Sequence, residues 1–349
     1  MKMPLMGGEF YNLRGDLFHF RPTLLPMKQI SILLTEGILK PGSLFTAIEI
    51  FEKANEFYAN SGKPDYYDVQ IVGQDINQSL LNAHFTINTI KNISDIPKTD
   101  LILIPGFHDK DDYAIAGSSQ AIAWMIDQYK EGAEIASLCT GTFLLAATGL
   151  LKDKECSTHW KAGDSFQKMF PDLKLRTDKI ITDCNGLYTA GGAISCLNLV
   201  LYLVEKYNGR EVALYCAKVL QIEIERNSQS PYIIFKGQKK HDDEEIKSMQ
   251  EFIENNIEEK LSVDALADKC SMSRGTFIRR FKKATKNAPV EYIQRVKIEA
   301  AKRSLEASRK NIKEVMYAVG YTDVKAFRTT FKKITGITPV EYKMKFSKG

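Results

Sequence analysis

The chain has 349 residues, 44% of them apolar and 26% charged, with a formal net charge of +5. That length is too great for one ordinary core and predicts two domains, and no apolar run approaches the roughly 20 residues a bilayer crossing needs. The six cysteines form no CxxC pair and the five histidines are scattered, which predicts reduced core thiols and argues against both a disulfide frame and a metal site.

The chain opens with "MKMPLMGGEFYNLRGDLFHF", where Gly, Arg and Asp interrupt the apolar stretch that a signal peptide would keep. A cytoplasmic location is therefore expected, and residues 1–25 are read as an N-terminal extension. From there, "KQISILL" (28–34), "YDVQIVG" (67–73), "TDLILIPG" (99–106) and "AEIASLC" (133–139) are short apolar or β-branched runs of the buried parallel-strand kind. Helical stretches such as "LFTAIEIFEKANEFYANSG" and "SSQAIAWMIDQYKEG" lie between them. This order predicts an open α/β parallel sheet, with ligands at the carboxyl ends of its strands.

One of those ends is "ASLCTGTFLLAATGLL", where a strand stops at Cys139 and a helix starts at once through Thr140 and Gly141. Such a turn sets a thiol beside a helix N-terminus, where the macrodipole favours an anion. Twenty residues on, "CSTHW" brings His159 as a partner for the thiol. The earlier strand ends in "IPGFHDKDD", whose Gly106–Phe107 backbone offers an oxyanion-type donor. With the Gly-rich "YTAGGAISCLNLVLYLVEKYNG", these segments resemble, over about residues 26 to 215, the ThiJ/PfpI branch of the class I glutamine amidotransferase-like fold. The resemblance implies a flavodoxin-like domain over 26–226, with ligand contacts at Cys139, Thr140, Gly106, Phe107, His159 and Gly191.

The chain departs from that family at one place that matters for chemistry. Hydrolases of this fold want a carboxylate near the end of the first strand that shares a proton with the thiol. Here "LLTEGILKPGSLF" places Lys40, Pro41 and Gly42 at that point, and Glu36 comes too early. Cys139 is accordingly read three ways: as part of a ligand or sensor site, as a vestigial core thiol, or as an active nucleophile. His159 is read either as a ligand contact or as a structural histidine. The remaining cysteines are read as small core residues.

After the amphipathic "GREVALYCAKVLQIEIER" comes "NSQSPYIIFKGQKKHDDEEI", polar and turn-rich, which predicts a linker over 227–243 and a second domain over 244–349. Charge changes across this join. Residues 261–349 hold 21 Lys and Arg against 8 Asp and Glu, a balance of +13 that leaves −8 for the first 260 residues. Segregation this strong points to a polyanionic partner.

The basic end is also repeated. "FKKATKNAPVEY" (281–292) and "FKKITGITPVEY" (331–342) agree at eight of twelve positions. Upstream, "LSVDALADKCSMSRGTF" pairs with "NIKEVMYAVGYTDVKAF" at an offset that passes from 49 to 50. Each copy predicts a helix, a short turn and a second helix started by a capping residue, Ser273 in the first and Asp323 or Thr322 in the second. The second helices bury Phe277 with Phe281 and Phe327 with Phe331, and turn cations outward. Between the copies a Pro-started helix with Ile293, Val296, Ala300 and Leu305 in helical period forms a rigid spacer.

Residues 243–349 resemble the two-headed helix-turn-helix domain of the AraC/XylS family, with "VGYTDVKAFRTTFKKITGITPVEY" as the signature-like stretch. The resemblance implies two recognition helices in successive major-groove segments of double-stranded DNA, roughly 34 Å apart. Carried over by position, Gly275, Ile278 and Arg279 in the first helix and Val324, Lys325 and Thr329 in the second face the bases. Arg274, Arg280, Lys282, Arg328 and Lys332 complete the expected DNA contacts. Both resemblances together imply a homodimeric, sequence-specific transcription regulator whose front domain binds a small-molecule effector, with no cofactor. The alternative is a cysteine-dependent amidase- or hydratase-like enzyme with a DNA-binding tail.

Overall fold

The computed structural model describes residues 27–35, 39–74, 78–80, 85–87, 90–107, 115, 117–224, 228–307 and 310–347. The expected extension over 1–25, Glu36 and the segment from His108 to Ala114 lie outside the described residues, as does Asn227 at the start of the expected linker.

The four apolar runs become strands β1 (Lys28–Leu33), β2 (Tyr67–Gly73), β6 (Leu101–Ile104) and β7 (Glu134–Leu138), and three short strands that were not expected, β3 (Gln78–Leu80), β4 (Phe85–Ile87) and β5 (Lys91–Asn92), lie between β2 and β6. Beyond them lie β8 (Glu155–Cys156), β9 (Lys174–Leu175), β10 (Ile181–Cys184) and β11 (Leu187–Ala190). Seven of these form one sheet in the order β10-β11-β7-β6-β1-β2-β5. All its neighbours are parallel except the edge pair β10–β11. That antiparallel hairpin is a departure from the all-parallel expectation. Its signal is the Asn185-Gly186 dipeptide, whose two positive φ values, 52° and 72°, are those a tight hairpin turn requires.

Helices α1 (Pro41–Asn60), α2 (Ser119–Lys130), α3 (Thr142–Ala147), α4 (Gly163–Met169), α5 (Leu197–Asn208) and α6 (Arg210–Val219) cover the sheet. Successive strand residues point to opposite faces. Leu101 and Leu103 therefore join a core under α1, α5 and α6, with Phe51, Leu199 and Val212. Ile102 and Ile104 join the other core, under α2, α3 and α4, with Met125, Leu144 and Phe166.

The C-terminal residues form only helices: α7 (Glu244–Asn255), α8 (Val263–Lys269), α9 (Arg274–Thr285), α10 (Pro289–Ala307), α11 (Ile312–Ala318), α12 (Val324–Thr335) and α13 (Pro339–Phe346). They build two cores strung on α10. Tyr292, Ile293 and Val296 enter the first, with Phe277 and Phe281. Ile298, Ala301 and Leu305 enter the second, with Phe327 and Phe331. At 1.5 Å per residue α10 is about 28 Å long, so it sets the separation of the two heads. Among the described residues, no helix is long and apolar enough to cross a membrane.

Candidate functional site

At the end of β7, Cys139 takes a left-handed φ of 55° and starts a single 3-10 turn that leads into α3. Such a backbone costs a non-glycine residue about 1–2 kcal/mol, and the surrounding hydrogen bonds hold it in place. The Cys139 carbonyl accepts from the Thr158 and Thr142 hydroxyls at 2.9 and 3.2 Å. Its side chain is nearly closed off, the residue being 1% exposed.

Lys40 occupies the place where an acid was missing from the sequence. Its Nζ lies 3.7 Å from Cys139 Sγ and 3.4 Å from Thr140 Oγ1. An ammonium carries three donors and no acceptor, so it cannot share a proton with a thiol as a carboxylate does. The expected oxyanion donors are also committed elsewhere. The Phe107 N–H donates to Thr140 Oγ1 at 2.9 Å and the Gly106 N–H to Ser43 Oγ at 3.2 Å. The Thr140 hydroxyl in turn donates to the Phe107 carbonyl. Cys139, Thr140, Gly106 and Phe107 thus come together as expected, but as an internally satisfied cluster.

His159 and Gly191 belong to an adjoining site. His159 caps the short turn Trp160–Ala162, its Nδ1 accepting from the Lys161 N–H at 3.1 Å, and its ring stacks at a tilt on Trp160. In the neutral ring this leaves the proton on Nε2. A cavity of about 190 Å³ opens here, lined by His159, Trp160, Gly192, Ser195, Gln229 and Tyr232 among others. Gly191 serves Gln229: a Cβ on Gly191 would lie 1.9–2.7 Å from the Gln229 carboxamide atoms. Gln229 escaped the sequence reading, because a glutamine in a polar stretch carries no local signal of burial.

Of the other five thiols, Cys156, Cys196 and Cys216 are buried as the core reading expects, while Cys184 and Cys270 are half-buried. Burial pushes Cys156 and Cys216 each up to about 11, which leaves them inert near neutral pH. Among the described residues, no group of His, Cys, Asp or Glu is arranged to hold a metal ion.

In the helical region each head presents its second helix as a capped, outward-facing rod. Ser273 Oγ accepts from the Thr276 N–H at 3.3 Å, and Asp323 Oδ1 from the Ala326 N–H at 2.5 Å, so Asp323 and not Thr322 is the second cap. The turns before them carry a left-handed residue at matching places, Ser271 at φ 52° and Gly320 at φ 70°. The second turn is one residue longer after that point, which accounts for the change of offset in the repeat.

Arg274, Gly275, Arg279 and Lys282 are exposed on α9, and Val324, Lys325, Arg328, Thr329 and Lys332 on α12. Gly275 has open space where a side chain would stand. Two of the expected contacts are placed differently. Ile278 is half-buried against the first core. Arg280 turns back toward α7, its Nε and Nη2 donating to Asp243 at 2.7 and 2.9 Å, with Glu245 pairing to Nη1. Burial alone would raise the Asp243 carboxyl, but Arg280 and the Ile246 N–H outweigh it and hold it below the usual range. Arg280 therefore ties the start of α7 to α9.

Residues 39–206 match the DJ-1/PfpI family, and residues 266–345 match a helix-turn-helix domain. The chain is 24% identical over 300 residues to the HTH-type transcriptional regulator GbdR of Pseudomonas aeruginosa, spanning 85% of this chain and 79% of that one. It is 23% identical to the isonitrile hydratase of Pseudomonas putida, over 54% of this chain and 78% of the enzyme. A crystal structure of a transcriptional regulator protein from Vibrio parahaemolyticus shares the fold of the α/β domain. It matches with a TM-score of 0.50 at 19% identity, covering 56% of this chain and 99% of that one.

Proposed function

We propose, for a chain that belongs to the AraC family of helix-turn-helix transcription regulators and carries an N-terminal DJ-1/PfpI domain, that the α/β domain binds a small effector and thereby adjusts the DNA-binding heads. The observation that carries this reading is the state of the Cys139 turn. Its acid position is filled by Lys40, and its backbone donors are spent on Thr140 and Ser43. What is left open beside it is the His159 cavity.

At about 30 Å³ per water-sized share, 190 Å³ suits a molecule of roughly six to ten non-hydrogen atoms. The walls carry side chains with donor groups, among them His159, Ser195 and Trp160. Donors of that kind favour an acceptor ligand such as a small carboxylate. In this reading residues 26–226 are the sensor and dimerisation domain, 227–243 the linker and 244–349 the DNA-binding domain, with 1–25 an extension. Arg279 reads bases, and the other exposed cations of α9 and α12 bind phosphates.

The test uses the full chain and a duplex from the region upstream of its own gene. Retardation that competes poorly with random duplex supports the regulator, and no retardation even at low salt refutes it. A panel of small amino acids and carboxylic acids is then screened by thermal shift. At least one should raise Tm and change operator affinity, and a flat panel refutes the carboxylate effector.

The strained turn at Cys139 (φ 55°) and the likeness to a hydratase favour one second reading, a cysteine-dependent enzyme. That reading requires rapid, saturable alkylation of Cys139 near neutral pH and turnover lost in Cys139→Ser. The burial of Cys139 leads us to expect slow alkylation instead.

A further inference from the structure

Between the α/β domain and the helices runs a strap with almost no secondary structure, and it makes contacts on both sides. At one end Gln229, 2% exposed, is plugged into the α/β domain. Its Oε1 accepts from the Trp160 N–H at 3.2 Å. Its Nε2 donates among the Thr158, Thr177 and Lys179 carbonyls and Ser157 Oγ, at 3.0, 3.1, 2.9 and 3.3 Å. The backbone is held too, with the Gln229 N–H donating to the Asp178 carbonyl at 2.9 Å and Ser228 bridging Lys179. Thr158 joins this socket to the Cys139 turn, since its hydroxyl donates to the Cys139 carbonyl at 2.9 Å.

On its other side the same strap is fastened to the second head through Ser228, Ser230 and Tyr232, before Phe235 at its far end packs on Tyr292 of the first core at 5.3 Å. Ser228 and Ser230 lie against Gly336, just past the end of α12. The Tyr232 ring meets Phe346 of α13 edge-on at 5.5 Å. Lys302 Nζ donates to the Ile233 carbonyl at 2.5 Å and to Glu299 Oε2 at 2.8 Å, and that oxygen accepts from the Phe235 N–H at 3.2 Å. Lys302 and Glu299 are only 3% and 6% exposed. A buried ion pair is tolerable only with its remaining hydrogen-bonding groups satisfied, and the strap backbone supplies partners to both ions.

We propose that the segment from Ser228 to Phe235 is the transmission element of this regulator, with Gln229 as a latch at the cavity and the Lys302–Glu299 pair as the anchor that positions the second head. Gln229 and Tyr232 are both walls of the His159 cavity. A ligand there meets the strap directly, and it shifts the strap to the extent that it binds the latched and unlatched states differently. The inference rests on the effector reading for its trigger, but the mechanical coupling between latch and head stands or falls without any ligand.

Amide hydrogen exchange on the full chain, without DNA or ligand, tests that coupling. Gln229→Glu keeps the shape but sets a carboxylate against three carbonyl oxygens, and so should release the latch. The expected result is an increase of about tenfold in exchange across α12 and α13, with α8 and α9 little changed. Coupling is reciprocal, so freeing the anchor with Lys302→Met plus Glu299→Leu should speed exchange of the Trp160 amide, which donates to Gln229 Oε1. If Gln229→Glu does not fold, this second variant decides alone. Unchanged exchange in the distant element, or equal loosening of both heads, overturns the proposal. If the coupling holds while no small carboxylate binds, the effector reading fails and the strap remains.

Discussion

The two heads share a scaffold and differ in what they show to a partner. In both, a buried threonine closes the recognition helix: Thr285 and Thr335 each donate at 2.8 Å to the carbonyl four residues back, Phe281 and Phe331. Both helices end in a left-handed residue, Lys286 at φ 59° in the first head and Gly336 at φ 78° in the second. The outward faces diverge: α9 offers Arg279 beside Gly275, while α12 offers Val324, Lys325 and Thr329. The inward attachments diverge as well: α7 braces the first head through Arg280, while the strap, whose Phe235 also packs on Tyr292 of the first core, meets the second through Ser228, Ser230 and Tyr232. The two copies agree in what folds a head and differ in what they turn outward and in what connects them to the rest.

The largest expected effect comes from attacking what is shared. Phe277→Ala and Phe327→Ala each empty a fully buried site and should cost about 3–5 kcal/mol, measured by urea unfolding. The two cores are separate, so exchange should show each variant loosening its own head first.

The next effect falls on what differs. Arg279→Ala should weaken operator binding by about 1–3 kcal/mol and leave random DNA much less affected, as titrations of both duplexes at one salt concentration would show. Val324→Ala should cost less, because it removes only an apolar contact to thymine methyl groups. Equal losses from the two variants would make the heads equivalent readers.

The left-handed helix ends give a smaller, opposed pair. Gly336→Ala forces a side chain into a φ of 78° and should destabilise by about 1 kcal/mol. Lys286→Gly relieves such a conformation and should be neutral or mildly stabilising, since glycine's gain there is offset by its entropy loss. Shifts of the urea midpoint in the same direction would contradict the shared geometry.

The smallest effect is a pH dependence that both heads should show. Burial, helped by Glu254 for Tyr292 and Glu306 for Tyr342, raises both phenols above their ordinary 10.0. Above pH 10 the unfolded chain loses these protons while the folded chain keeps them. Stability is therefore full below pH 10 and falls as pH rises toward the folded values. Comparing urea midpoints near pH 8 and near pH 11, Tyr292→Phe and Tyr342→Phe should each flatten the loss.

Local order in this protein was legible in the sequence. The four main strands, the cap at Ser273, the choice of Asp323 or Thr322 for the second cap, the paired phenylalanines and the repeat itself follow from periods and capping chemistry confined to a few neighbouring residues. The same local signals put Cys139 at a strand-to-helix turn, and the family resemblance marked Lys40 as standing where an acid was wanting. Even the missed β10–β11 hairpin had its sign in Asn185-Gly186.

Tertiary structure alone decided the rest, because it turns on partners far apart in the chain. Arg280 and Asp243 are 37 residues apart, and their meeting ties α7 to α9. The Phe107 N–H is spent on Thr140, 33 residues on, which closes the expected oxyanion site. Gln229 finds the Thr158 carbonyl across 71 residues, and Lys302 the Ile233 carbonyl across 69. A polar side chain's energy depends on whether its hydrogen bonds are met after burial. No local pattern reports that, so the strap joining the α/β domain to the helical heads appears only once the chain is folded.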